Sequence, residues 1–156
     1  MSILLISSLM MVGLRVSFEP LLEQLRMRRA ASEISSFFFK ARSESMLRGA
    51  GLYIEISRLS SSDKSWSMEL RSEKQEQAII VVEGSDTRIS FSGRHKDNQT
   101  MRLYLDDVSG KVMGNGHIRI NYKHNENERL RLVYYSITGR TKICGDGSDY
   151  YGFPKC

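Results

Sequence analysis

Cysteine is scarce in this chain of 156 residues: it has two, Cys144 and Cys156, both near the C-terminus. Their spacing is not a C-x-x-C motif and no further cysteine is present to complete a thiolate metal site, so a zinc ribbon and a dithiol redox centre are excluded. In an oxidising compartment a bond between them would close a short loop and stabilise the fold by roughly 3 kcal/mol; in the cytosol they would stay as two thiols. Proline is equally rare, at two residues. With no Pro/Gly/Ser-rich tract and no repeat at a solenoid period, nothing marks a linker or a second domain. The three histidines, His95, His117 and His124, lack metal-ligand spacing, and read as surface residues. There is no G-x-S-x-G elbow, and Gly114-Asn115-Gly116 is a turn signal without a phosphate-loop lysine. The single Trp66 suits core packing. No catalytic residue, metal or cofactor is expected.

A long apolar run is also missing. Ile3 to Val16 is apolar but softened by Ser7 and Ser8 and broken by Arg15, too short for the ~20 residues of an ordinary membrane span. It also lacks the basic flank that opens a secretory signal. It is either a buried core helix or the remnant of an export signal whose reading frame begins upstream of Met1.

What is present follows two periods. From Ser17 a helical pattern runs to Arg48, about 48 Å at 1.5 Å per residue, with a kink expected at Pro20 and a stop at Gly49-Ala50-Gly51. Met27, Ala30, Ala31, Ile34, Phe37, Phe38 and Ala41 fall within one arc of about 120° and predict a core-facing stripe. The helix is longer than so small a head needs, so residues 1–26 are expected to project and residues 27–156 to form the head.

After Gly51 the period becomes two. Leu52, Ile54 and Ile56, then Met101, Leu103 and Leu105, then Ile118 and Ile120 alternate with polar neighbours. Further strands are predicted over Ser65 to Arg71, Ala78 to Val82, Thr87 to Ser92 and Arg129 to Ile137, separated by groups such as Glu83-Gly84-Ser85-Asp86. One helix followed only by strands is the α+β class, with the helical stripe covering one face of an antiparallel sheet.

The net charge of +5 and pI near 9.3 favour a polyanionic partner only weakly. The balance is locally stronger at the C-terminus. From Arg129 onward Arg129, Arg131, Arg140, Lys142 and Lys155 stand against Asp146 and Asp149, or +3. Arg26, Arg28 and Arg29 form another cluster, expected to meet neighbouring subunits or lipid headgroups.

Three segments together resemble the minor pilins and pseudopilins of the FimT/GspH family. They are Arg29-Ala30-Ala31-Ser32-Glu33 with Lys40 to Gly49, Ser109-Gly110 with Gly114 to Ile120, and Ser136-Ile137-Thr138-Gly139-Arg140-Thr141-Lys142-Ile143-Cys144. The resemblance spans roughly residues 14–156. It implies a subunit anchored in the inner membrane by one helix, with a periplasmic head that reaches the pilus or cell surface after assembly. Its partners would be other pilin subunits through the N-terminal helix, and a prepilin peptidase that cleaves a basic leader and methylates the new N-terminus. This chain shows no leader before Ser2-Ile3-Leu4-Leu5 and no glutamate there, which suggests a misplaced start or a degenerate copy.

In the FimT branch a G-R-x-R/K segment is associated with DNA binding during natural transformation; here it reads Gly139-Arg140-Thr141-Lys142. Two cations two residues apart on a strand point the same way and can face one phosphate backbone. Lysine acts as a point charge where arginine forks, so Lys142 orients phosphate less well. The resemblance thus implies binding of double-stranded DNA through Gly139, Arg140 and Lys142, with Arg131 and Lys155 alongside. A Cys144–Cys156 disulfide would fold Tyr150, Tyr151 and Phe153 back beside the basic strand as optional stacking surfaces. The alternative within the same resemblance is a GspH-like pseudopilin of a type II secretion system, structural and without DNA. A third reading is an adhesive β-head using the tyrosine-rich tail.

Overall fold

The computed structural model describes residues 2–59, 65–91 and 99–156. A single helix, α1 (Ser2–Arg48), carries Pro20 inside it without ending there. Its 47 residues correspond to about 70 Å at 1.5 Å per residue. There proline removes one backbone donor and crowds the carbonyl of the preceding turn. Gly49, with φ 53°, closes the helix in the left-handed conformation that favours glycine, its N–H donating to Ser45 O at 3.1 Å. Among the described residues no helix is long and apolar enough to cross a membrane.

Eight strands follow: β1 (Leu52–Arg58), β2 (Trp66–Ser72), β3 (Gln75–Gly84), β4 (Thr87–Phe91), β5 (Thr100–Leu105), β6 (Gly116–Tyr122), β7 (Asn125–Tyr134) and β8 (Thr141–Gly145). They form two antiparallel sheets of four strands, ordered β3-β2-β1-β5 and β4-β6-β7-β8. The single sheet expected from sequence is therefore two. Ser85 and Asp86 separate β3 from β4, yet those strands do not pair, because β4 takes β6 as its neighbour. Alternation along a strand shows which side chains point inward, but not which strand lies alongside.

The core lies where the inner faces of both sheets meet α1. All seven residues of the predicted helical stripe are buried, with Met27, Ile34 and Ala41 fully so. They meet Leu52, Ile54 and Ile56 of β1, Met68 and Leu70 of β2, Ile118 and Ile120 of β6, and Leu130 and Leu132 of β7. Trp66 is fully buried and its indole N–H donates to Thr87 Oγ1 at 2.8 Å, which joins the two sheets at the β3–β4 corner and supports its reading as core.

The predicted Ser92 end of β4 and His95 lie outside the described residues. Contacts between helix and head begin upstream of residue 27. Glu23 accepts hydrogen bonds from Tyr151 and Asn125, and Arg26 donates to the Tyr122 hydroxyl at 2.9 Å. Arg28 donates to Tyr151 O at 2.8 Å, and Arg29 pairs with Glu33. The basic cluster of the helix is thus engaged within the molecule.

Candidate nucleic-acid interface

The outer faces of the two sheets differ in charge. On the first, Arg102 pairs with Glu55 at 3.2 Å and Arg71 with Glu69 at 2.5 Å, so acid and base alternate and nearly cancel. On the second, register sets cation beside cation. Arg119 of β6 stands opposite Arg131 of β7, and Asn121 lies between Arg88 of β4 and Arg129 of β7. Lys142 of β8 stands opposite Val133, on the same face as Arg131.

Like charges directly opposite one another on a sheet repel. Asp146 relieves this: its carboxylate accepts from Arg119 at 2.9 Å and forms a close ion pair with Arg131. Partial burial acts to raise the Asp146 pKa, but the hydrogen bonds and charges of Arg119 and Arg131 outweigh it and hold the carboxyl below the usual range. Beside it, burial first and then the positive charge of Arg131 and Arg119 lower the pKa of His117, against the opposing pull of Asp146.

Arg140 immediately precedes β8 and leaves a tight turn built by Gly139, whose φ is 64°. The Gly139 N–H donates to Tyr135 O at 2.9 Å, and Arg42 reaches from α1 to Gly139 O at 3.4 Å. Gly139 therefore shapes the turn and anchors it to the helix. Arg140 and Lys142 are both exposed, as are Arg129 and Lys155. Among the described residues, neither Arg140 nor Lys142 has an ion-pair partner. Arg131 differs, since its guanidinium is held by Asp146.

The tail is fixed by the disulfide Cys144–Cys156. Cys156 N donates to Gly145 O at 3.0 Å, Gly145 N to Pro154 O at 2.8 Å and Lys155 N to Asp149 Oδ1 at 2.6 Å. Tyr151 is not available as a stacking surface. Tyr151 is buried with φ 53°, its hydroxyl donating to Glu23 at 2.5 Å, while Tyr150 and Phe153 pack partly buried against the core. Of the three rings expected as optional stacking surfaces, Tyr151 is thus withdrawn: the helix draws it inward, through Glu23 on its hydroxyl and Arg28 on its carbonyl.

Arg88 and Arg119 belong to this face but do not stand out in the sequence. Strand alternation marks them as outward, while their place beside β7 depends on the pairing of β4 with β6. Among the described residues no group of His, Cys, Asp or Glu is arranged to hold a metal.

A long N-terminal helix whose second half packs on an antiparallel β head is the fold of the type IV pilin class. The chain is similar in structure to the type IV minor pilin FimU of Pseudomonas aeruginosa strain PAO1, with a TM-score of 0.52 and 16% identity over 79% of this chain and 99% of that one. No family model matches the sequence, and no curated protein matches it.

Proposed function

We propose that this chain is a FimT-like minor pilin, held in the inner membrane and added to a type IV pilus, whose head binds extracellular duplex DNA without sequence preference during DNA uptake. The observation that carries this reading is the exposure of Arg140 and Lys142 at the edge of a cationic sheet face in a pilin-like fold. Phosphate contacts alone carry no base information, which accounts for the lack of sequence preference. Gly139 shapes the turn, Lys155 adds charge from the tail, and Arg131 acts through the field it shares with Asp146. The function requires no turnover.

Phe18, Leu21, Leu22 and Leu25 remain about half exposed on α1. They support packing of this half of the helix against the helices of other pilin subunits in a filament. Export, processing by a prepilin peptidase and a periplasmic head belong to the same proposal.

The test is a gel-shift titration of the full chain in neutral detergent against duplex DNA at two salt concentrations, alongside Arg140→Ala/Lys142→Ala. Salt-sensitive binding that the double substitution removes is the expected result. A wild-type protein that leaves DNA unshifted at low salt would return the chain to the structural role of a GspH-like pseudopilin.

A further inference from the structure

Three segments meet at the end of the head where α1 stops: the last turns of the helix, the β5–β6 connection and the β7–β8 turn. The β5–β6 connection sits on α1 through Ser45 Oγ, which donates to Asp106 O at 3.1 Å, and Arg42 Nε, which donates to Ser109 O at 3.3 Å. Gly110, with φ 61°, lies so close to Arg42 and Met46 that a Cβ would collide with them. Lys111 Nζ donates to Ile137 O at 3.1 Å, and Asn115 Oδ1 accepts from Ser136 N at 2.7 Å, which ties the β7–β8 turn to the same connection. On this fixed end Val108, Met113 and Ile137 are 82%, 62% and 84% exposed, and Tyr104 and Tyr135 are about half exposed. Single exposed apolar residues need no account, but five on segments bonded to one another form a patch of the kind that receives a partner. Because the turns are already held, docking there orders little.

We propose that this patch is the seat for the apolar half of α1 from a second copy of the chain, so that Phe18, Leu21, Leu22 and Leu25 of one copy cover Val108, Met113 and Ile137 of the next. The proposal rests on the subunit-packing reading above and names the surface that the helix meets: the far end of the next head, where α1 of that copy ends. Two observations point to a second copy. The two patches cannot cover each other within one chain, since α1 is one continuous helix that rises ~36 Å between Leu22 and Met46. Their charges also match. Residues 18–25 carry Glu19, which is exposed, and Glu23, which is bonded to Tyr151, and no cation. On the far patch Lys111, Arg140 and Lys142 stand against the exposed Asp107, while Asp106 is occupied within its own turn, accepting from Ser109 N at 2.7 Å. A contact between two different surfaces of the same chain does not close on itself, so it repeats into a linear stack.

The experiment is sedimentation velocity of the full chain after removal of neutral detergent, for wild type, Leu21→Asp/Leu25→Asp, Val108→Asp/Ile137→Asp and an equal mixture of the two variants. Wild type is expected to form species larger than dimers and each variant alone to stay monomeric. The mixture is expected to stop at dimers, because one variant keeps a working helix and the other a working seat. Association of Val108→Asp/Ile137→Asp like that of wild type overturns the seat and leaves the helix-packing reading standing. A mixture that stays monomeric overturns the head-to-tail contact, and a wild type that stays monomeric overturns both readings. Circular dichroism checks folding. If Val108→Asp/Ile137→Asp loses strand signal, cross-linking judges instead: both native cysteines are tied in the disulfide, so a bismaleimide joins only new thiols when Leu22→Cys and Ile137→Cys chains are mixed. A cross-link between positions 22 and 137 supports the seat, and its absence rejects it.

Discussion

Asp146 illustrates how one carboxylate permits a cationic sheet face to fold. Arg119 and Arg131 face each other across adjacent strands, and Asp146 bridges both. Its pKa is lowered in the fold, so its contribution is present above the ordinary carboxylate value near 3.9 and is lost as pH falls through the folded value. Asp146→Asn is expected to cost roughly 1–3 kcal/mol at neutral pH through loss of charged hydrogen bonds. It should also flatten the acid limb of a plot of Tm against pH, measured by circular dichroism. His117 carries the same sign at higher pH. Its pKa is also lowered, so stability present above about 6.5 declines as pH falls through its folded value. His117→Gln should remove that upper step and leave the Asp146 limb in place.

At the scale of elements, β8 and the tail after it form one unit tied to α1. The disulfide closes a loop with a sequence separation of 12, so Cys144→Ser/Cys156→Ser is expected to lower unfolding stability by about 3 kcal/mol in urea titrations. Tyr151 supplies a second tie. Burial, then its hydrogen bond to Glu23, raises its pKa well above the ordinary tyrosine value. The stability this carries is present below about pH 10 and is lost as pH rises through the folded value. Tyr151→Phe should cost about 1 kcal/mol and flatten the alkaline limb. The disulfide is legible in sequence, whereas the tie to α1 is not, because nothing local links Tyr151 to Glu23 across 128 positions. The helix stripe and the inward residues of β1, β5 and β6 are legible, since a period of 3.6 or 2 is a local property. The division into two sheets is not, because it depends on β1 choosing β5 and β4 choosing β6. The same limit conceals the basic face: Arg140 and Lys142 are visible as a motif, whereas Arg88 and Arg119 join them only through strand order.

Across the whole molecule, charge and apolar exposure are segregated. The first sheet's outer face is neutralised in pairs, the second is cationic, and the helix leaves Phe18, Leu21, Leu22 and Leu25 between 47% and 54% exposed. Apolar area of this kind drives association once detergent is removed. Leu21→Asp/Leu25→Asp is expected to keep the chain monomeric under conditions in which wild type self-associates, as read by sedimentation velocity. The ties at the C-terminus also define a route for mechanical force. A pull on Arg140 or Lys142 enters β8 and follows the main chain from Cys144 to Tyr151, which is bonded to Glu23 and Arg28 of α1, while the disulfide to Cys156 closes that stretch into a loop. Tension on the cationic edge is thereby shared between the five pairs of the β7–β8 ladder and the Tyr151 bonds to the long helix, and the disulfide limits how far the loop between them can extend.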